Sequence, residues 1–193
     1  MRIIGGKFKG LKLIPPSDLG IRPTSDRLKE ALFSILDSKK YNINIHNSKL
    51  IDIFSGTGAL GIEALSRGVK KVYFLDQDTK SIEIIKKNIS KLKINDQDDI
   101  MIKIIKEEAT KALKKVNEIF DIVLMDPPYN KNITNKILEN LKNYNLINTY
   151  SYIFAESEKA ETFDVNGYEV LDTKIYGKSK LTILKLRNSS PIE

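Results

Sequence analysis

The sequence predicts an α/β fold, in which a parallel, Rossmann-like sheet is completed by an antiparallel hairpin. From Lys49 onward, short apolar runs alternate with amphipathic helical segments, which is typical of βα units around a buried parallel sheet. A glycine-rich loop follows the first apolar run. Two strand-like runs within residues 168–186 are joined by Tyr-Gly-Lys-Ser-Lys, which predicts the closing hairpin.

The first forty residues are predicted to form an extension before this sheet. Residues 2–14 contain two short apolar runs around Gly-Lys-Phe-Lys-Gly, which predicts a hairpin that ends at Pro15-Pro16. The segment RPTSDRLKEALFSIL then predicts a helix with Thr24 or Ser25 as its N-cap. Its apolar residues form one helical stripe: Leu28, Ala31, Leu32, Ile35 and Leu36. We expect a main domain over residues 41–187 and a frayed tail over 188–193.

The predicted elements of the main domain follow in a regular order. The strands are KLIDIF, KVYFLD, IMIKII, FDIVLMD and YSYIFAES. The helices between them are GALGIEALSRG, TKSIEIIKKNISKL, EATKALKKV and NKNITNKILENLKN. Gly68 is predicted to end the first of these helices as its C-terminal cap. The second is predicted to point Ile82, Ile85, Ile89 and Leu92 inward.

Composition narrows the classes of function. The 193 residues are 41% hydrophobic and 30% charged, which suits one soluble domain. With no cysteine and one histidine, His46, we expect no disulfide and no metal centre. No apolar run reaches bilayer length and the N-terminus lacks the apolar core of a signal peptide, so we expect a cytoplasmic protein without a membrane contact.

The charge distribution favours a polyanionic partner. The net charge is +7, and four basic residues precede the first acidic residue, Asp18. These four are Arg2, Lys7, Lys9 and Lys12.

The glycine loop itself has two interpretations. Gly56, Gly58 and Gly61 fit the G-x-G-x-x-G fingerprint of dinucleotide-binding proteins, and Asp76 follows at the spacing of a ribose-binding acid. However, Asp52 interrupts a strand that is usually apolar up to its glycines. Beyond the fingerprint, the sequence offers no constellation for hydride transfer. A nicotinamide enzyme is therefore disfavoured.

A second motif, Asp126-Pro127-Pro128-Tyr129, follows the fourth predicted strand. Prolines have no N–H, so this turn presents only acceptors, namely its carbonyls and the Asp126 carboxylate. Such a turn suits a donor-rich group such as the exocyclic amine of a nucleobase, and Tyr129 offers a flat face on which the base can stack. Acceptors aimed at the amine can free its lone pair to attack an electrophilic methyl group.

With these motifs the chain resembles the class I S-adenosyl-L-methionine-dependent methyltransferases that methylate amino groups, and within them the RsmD family. The resemblance covers nearly the whole chain, through RIIGGKFKGLKL, GIRPTSDRLKEALFSIL, DIFSGTGALGIEALSRG, FLDQD, DPPY and ESE. It implies a seven-stranded class I methyltransferase sheet and methylation of a guanine N2 in small-subunit (16S) ribosomal RNA. The implied partner is this RNA or the assembling subunit, and we expect a monomer.

The resemblance also implies roles for individual residues. For the cofactor these are Asp52, Phe54, Gly56 and Gly58 at the methionine end, Asp76 or Asp78 at the ribose, Glu108-Ala109 or Glu107 at the adenine, and Thr24 at the mouth of the site. The catalytic residues are Asp126, Pro127, Pro128 and Tyr129. Candidates for RNA phosphate contacts are Arg2, Lys7, Lys9, Lys12, Arg22 and Arg27, of which Arg22 could also line the cofactor mouth.

Four alternatives stay open at this stage. An adenine-N6 methyltransferase would use the same acceptor turn, although this chain has no room for a separate target-recognition domain. A protein glutamine-N5 methyltransferase would favour Asn at the position of Asp126. From other classes, a nicotinamide-dependent oxidoreductase would bind NADH, and a non-catalytic RNA-binding module would transfer no methyl group.

Overall fold

The computed structural model describes residues 1–16, 26–95, 98–128 and 131–188. Within the helices, the side chains of Asp26, Arg27 and Lys131 are outside this description. The predicted N-caps Thr24 and Ser25, and the candidate site residues Arg22 and Tyr129, also lie outside the described residues.

A seven-stranded sheet forms the centre of the protein, as predicted. Its strands are β1 (Lys49–Ile53), β2 (Lys71–Asp76), β3 (Met101–Lys106), β4 (Ile122–Met125), β5 (Tyr152–Glu158), β6 (Tyr168–Tyr176) and β7 (Ser179–Leu186). Their order in the sheet is β3-β2-β1-β4-β5-β7-β6. The first five strands are parallel, and β7 lies antiparallel between β5 and β6. The predicted closing hairpin is thus confirmed.

The helices cover both faces of the sheet. They are α1 (Asp26–Leu36), α2 (Ala59–Ser66), α3 (Thr79–Ser90), α4 (Ala109–Leu113) and α5 (Lys131–Asn143), and a 3-10 turn spans Ile45–Asn47. Strand residues alternate between two cores, one with α1, α2 and α3 and the other with α4 and α5. The predicted inward residues of α3 are buried except Ile89, which is half-buried.

The N-terminal segment, residues 1–14, forms an arm against α2 and α3. It follows the course of a hairpin, but the two predicted strands are wrong, because the two sides share only one isolated bridge, Arg2–Lys12. Its backbone groups bond to α2 instead: Ile4 N–H donates to the Glu63 carboxylate at 2.8 Å, and Phe8 N–H donates to Ser66 Oγ at 2.9 Å. Gly6, at φ +74°, leaves no room for a side chain beside the Ser66 carbonyl.

A buried charge cluster fastens this arm to the helices. Glu63 is fully buried, and its carboxylate accepts from Ile4 N–H and from Arg67 Nε at 2.9 Å. Lys29 of α1, only 1% exposed, lies 3.8 Å from Glu63 and donates to the Arg2 carbonyl at 2.5 Å. Buried charges are tolerated only when they are paired and hydrogen-bonded, and here each charge has such partners.

We predict that Glu63→Ala lowers the free energy of unfolding by about 3–5 kcal/mol, because it leaves the buried Lys29 ammonium and the Ile4 N–H without this carboxylate. Urea titration measures the loss. Glu107→Ala is the matched control: it removes a carboxylate whose partner, Lys115, is 70% exposed, and should cost about 1 kcal/mol or less. Equal losses in the two variants would contradict a special role for the buried cluster.

Candidate functional site

The carboxyl ends of the parallel strands meet at one edge of the sheet, which we call the carboxyl edge. The strands bring acidic residues there: Asp76 ends β2, Glu108 follows β3, Asp126 follows β4, and Glu156 lies near the end of β5. The glycine loop leaves β1 at the same edge, between β2 and β4. Open α/β sheets bind ligands at such an edge.

Asp52 lies inside this site, one residue before the end of β1. Its side chain is 2% exposed, and Oδ2 accepts a hydrogen bond from Gly61 N–H of α2 at 2.9 Å. Burial raises the pKa of Asp52 to about 7, the Gly61 N–H opposes that rise, and the negative charge of Asp76 adds to it. Burial therefore favours the neutral, protonated form of this carboxyl.

Three residues of the loop after β1 have left-handed backbone conformations. Phe54, Gly56 and Gly58 have φ values of 62°, 54° and 75°. This region is natural for glycine but unfavourable for phenylalanine, so the surroundings must hold Phe54 in place. Ser55 supplies such a constraint, since its Oγ donates to the Asp52 carbonyl at 2.5 Å and accepts from Leu75 N–H at 2.9 Å.

The third glycine of the fingerprint, Gly61, serves helix packing. A Cβ at this position would lie 2.3 Å from the Phe74 ring, so only glycine lets α2 lie this close to β2. This close approach also brings the Gly61 N–H to the Asp52 carboxylate.

Asp76 and Asp78 differ in exposure and in what their carboxylates hold. Half-buried Asp76 accepts from Gly56 N–H at 2.8 Å and from Asp78 N–H at 2.9 Å. Burial raises the pKa of Asp76, although these N–H groups oppose the rise. The exposed Asp78 caps α3 through Ser81 N–H at 2.8 Å. Asp76 therefore contacts the glycine loop directly, whereas the Asp78 carboxylate is engaged at the start of α3.

Glu108 is the N-cap of α4. Its carboxylate accepts from Thr110 N–H at 3.0 Å and from Thr110 Oγ1 at 2.6 Å and 2.8 Å, and these bonds lower the pKa of Glu108. The neighbouring Glu107 pairs with Lys115 at 2.6 Å. Both carboxylates are thus engaged locally, and Ala109 is buried at the start of α4.

The acceptor turn begins where β4 ends. Asp126 is half-buried, Pro127 is buried and Pro128 is exposed. Met125 pairs with Ala155 of β5, so Asp126, which follows β4, is next to Glu156, which lies within β5 near the same edge. Glu156 is only 7% exposed and pairs with Leu181, which places its side chain on the side of the first core.

The candidate RNA-binding residues do not all lie at the carboxyl edge. Lys7 N–H bonds to the carbonyl of Ser66, the last residue of α2, and its side chain pairs with Asp98, which precedes β3. Both contacts lie at the opposite, amino edge of the sheet. The arm's turn, with Lys7 and Lys9, is therefore remote from Asp126. The four candidate residues of the arm, Arg2, Lys7, Lys9 and Lys12, are all exposed.

Two residues that sequence reasoning did not single out join the site to its surroundings. Fully buried Asn88 donates from Nδ2 to the Thr57 carbonyl of the glycine loop at 3.0 Å and to the Ile14 carbonyl of the arm at 3.2 Å. Glu156 is the second. The signal that could have identified Asn88 is its position within the apolar stripe of α3. For Glu156 the signal is an acidic residue near the end of an apolar strand.

Within the ranges that the structure describes, no group of three or more His, Cys, Asp or Glu side chains is arranged to hold a metal ion. None of the helices in those ranges is long and apolar enough to cross a membrane.

Comparison with known proteins places this site in a family. The family model described as Conserved hypothetical protein 95 matches residues 1–185. The chain is 37% identical to Ribosomal RNA small subunit methyltransferase D of Haemophilus influenzae over 159 residues, which are 82% of this chain and 79% of that protein. The protein of the same name from Escherichia coli is 31% identical over 158 residues, 82% of this chain and 75% of that protein.

A solved structure supports the same likeness. The Escherichia coli protein yhhF superimposes with a TM-score of 0.81 at 27% identity, covering 97% of this chain and 98% of that one. The predicted class I methyltransferase sheet is thereby confirmed.

We predict that Asp52→Asn stabilises the protein at pH 8 by about 2–4 kcal/mol, because the amide keeps an acceptor for Gly61 N–H without a buried charge. The raised pKa of Asp52 gives the sign: its favourable contribution to stability is complete below pH 3.8 and is lost as the pH rises through about 7. The advantage of the variant should therefore shrink as the pH is lowered toward 5.

Urea titrations at both pH values measure the effect. Asp98→Asn is the control of opposite sign, because Lys7 lowers the pKa of Asp98 and the loss of its charge should destabilise at pH 8. A stability advantage of Asp52→Asn that does not vary with pH would show that ionisation is not its cause.

Proposed function

Because the chain belongs to the RsmD family, whose model is described as Conserved hypothetical protein 95, we propose that it transfers a methyl group from S-adenosyl-L-methionine to the exocyclic N2 of a guanine in small-subunit ribosomal RNA. The reaction would take place in the cytoplasm, on the RNA or on an assembling subunit.

One observation carries this proposal. Strands β1 and β4 are neighbours, and Ile53 pairs with Met125. The glycine loop and the acceptor turn of Asp126 and Pro127 therefore leave the sheet side by side. A methyl donor held by the first and an amine held by the second would meet at the carboxyl edge, and such positioning supplies much of the acceleration of a direct transfer.

The residues present fit the proposed methyl donor. It offers an ammonium group, two ribose hydroxyls and an adenine amine, all hydrogen-bond donors. The carboxyl edge brings together Asp52 of β1, Asp76 at the end of β2 and Glu108 after β3, in the order of neighbouring strands. The Asp76 carboxylate accepts from the backbone N–H groups of Gly56, Gln77 and Asp78, and its remaining lone-pair capacity could accept from a ribose hydroxyl. Glu108 fits less well, since capping α4 occupies it.

The chemistry at the base follows from the acceptor turn. The cofactor would supply an electrophilic methyl carbon to the N2 lone pair and take up the electrons of the broken carbon–sulfur bond, and N2 would release its proton to water. Asp126 and the Pro127 carbonyl would accept hydrogen bonds from the amine and stabilise the positive charge that develops on nitrogen. Tyr129, which lies outside the described residues, would stack on the base.

Glu156 favours guanine over adenine in this arrangement. Guanine carries an N1–H donor beside its N2 amine, whereas adenine presents an N1 lone pair beside its N6 amine. A carboxylate next to Asp126 would accept from guanine N1–H and repel the adenine N1. Glu156 thus supports methylation of guanine N2 rather than of adenine N6. Because the chain belongs to the RsmD family, a nicotinamide-dependent oxidoreductase is disfavoured.

The direct test uses labelled S-adenosyl-L-methionine and small subunits from a strain that lacks this gene. We expect label in N2-methylguanosine. Asp126→Ala should lower kcat about a hundred- to a thousandfold, as the loss of one transition-state partner typically does, with Asp126→Asn between it and wild type. Affinity for the cofactor, measured by calorimetry, should stay within about threefold, below roughly 0.7 kcal/mol. Label in N6-methyladenosine would overturn the choice of base.

Glu156→Gln tests the proposed recognition of guanine N1–H. The amide keeps an acceptor oxygen but loses the negative charge, so the hydrogen bond from N1–H is weaker, and kcat/KM on these subunits should fall about tenfold to a hundredfold, equivalent to roughly 1.5–3 kcal/mol. Glu158→Gln, on the same strand but exposed, should leave it unchanged. A Glu156→Gln variant with full activity, or one that loses cofactor affinity and thermal stability instead, would contradict this role.

A further inference from the structure

Two segments of the chain carry positive charge without any acidic residue. The first is the arm with the two prolines that follow it, residues 1–16. The second is the C-terminal half of α3 with the residues after it, 84–95. Together they contain eight basic residues: Arg2, Lys7, Lys9, Lys12, Lys86, Lys87, Lys91 and Lys93. Apart from Arg2, Lys7, Lys9 and Lys12, none of these was a candidate for RNA binding from the sequence.

The fold joins these two segments into one surface. Ile14 N–H donates to Asn88 Oδ1 at 2.7 Å, and Asn88 Nδ2 donates back to the Ile14 carbonyl at 3.2 Å. Lys91 Nζ donates to the Lys12 carbonyl at 3.1 Å. We call this the arm–α3 surface. All eight of its basic residues are exposed, but Lys7 pairs with Asp98 and Lys91 fastens the arm. The other six are Arg2, Lys9, Lys12, Lys86, Lys87 and Lys93.

Among the residues that the structure describes, acidic groups around this surface neutralise little of its charge. Asp98 pairs with Lys7 at its border, and Asp99 and Glu83 are exposed at its two ends. On the other side of the sheet, lysines and acids are mixed, as in the pair of Lys115 with Glu107. Where positive and negative charges are mixed, their electrostatic potentials largely cancel, whereas the potentials of neighbouring positive charges add and attract a polyanion.

We propose that the arm–α3 surface binds the sugar–phosphate backbone of the RNA substrate, with Lys86, Lys87 and Lys93 as contact residues. The proposal rests on the proposed function for the identity of the polyanion. Helix α3 begins after β2 at the carboxyl edge and ends at the amino edge, and its 12 residues span about 18 Å. The surface therefore grips RNA along the side of the protein, at nucleotides other than the one methylated.

The contacts of this surface position the RNA and do not select its sequence, because phosphates are common to every nucleotide. Selection of the base is left to the residues at the carboxyl edge. Binding and chemistry are thereby carried by different parts of the molecule, which makes them separable by mutation.

The test replaces Lys86, Lys87 and Lys93 together with Gln and leaves Lys91 intact. Binding to unmodified small subunits is measured by co-sedimentation over a range of KCl at fixed Mg²⁺. If each lysine makes one phosphate contact, the slope of log K against log salt should fall by about 2, since each contact contributes roughly 0.7. At 0.1 M salt that corresponds to about a hundredfold weaker binding. The kcat at saturating subunit and the affinity for S-adenosyl-L-methionine should stay within about twofold.

The charge-matched control replaces Lys114, Lys136 and Lys142 with Gln. These lysines are exposed on or next to α4 and α5, across the sheet from α3, and their loss should leave the slope within about 0.5. Equal slopes for the two triple variants would overturn the proposal and leave only a non-specific effect of net charge. Failure of the wild-type enzyme to form N2-methylguanosine would overturn the proposed function instead, and the salt slope would still be measured.

Discussion

The packing of helix α2 against the sheet is the constraint on which both the candidate site and the N-terminal arm depend. All eight of its residues, Ala59–Ser66, are buried. Near its start, the Gly61 N–H holds the Asp52 carboxylate, and at its end Glu63 and Ser66 hold the arm. The glycine that lets α2 approach Phe74 therefore fixes both the glycine-loop side of the candidate site and the position of the N-terminal segment.

The strands and helices of the main domain were predictable because their signals are local. Apolar runs predicted every strand of the sheet, and helical periodicity predicted the helices. Gly68 was predicted as the C-terminal cap of α2, and it follows that helix at a φ of 105°. The arm was predicted as two paired strands and was wrong for a non-local reason. Its backbone partners, Glu63, Ser66 and Asn88, lie more than fifty residues away in the chain and leave no mark on the arm's own sequence.

The candidate site shows the same division. Asp52, Asp76 and Asp126 stand at strand ends, which the order of elements alone brings to one edge. What periodicity could not supply is which carboxylates are already engaged: Asp78 and Glu108 cap helices, and Glu107 pairs with Lys115. The buried Lys29 was hidden for a related reason, since a lysine in a helix is normally solvent-exposed, and only its contact with Glu63 explains its burial.

The way the arm is bonded bears on how this protein could diverge from its relatives. A segment that met the body through side chains alone could be exchanged between proteins as a module. In this arm, backbone N–H groups donate to Glu63, Ser66 and Asn88, so the attachment depends on side chains of α2 and α3. Substitution of the arm's basic side chains leaves these backbone bonds in place, whereas substitution of Glu63, Ser66 or Asn88 removes them. We therefore expect chimaeras to fold only when the arm and both helices are transferred together.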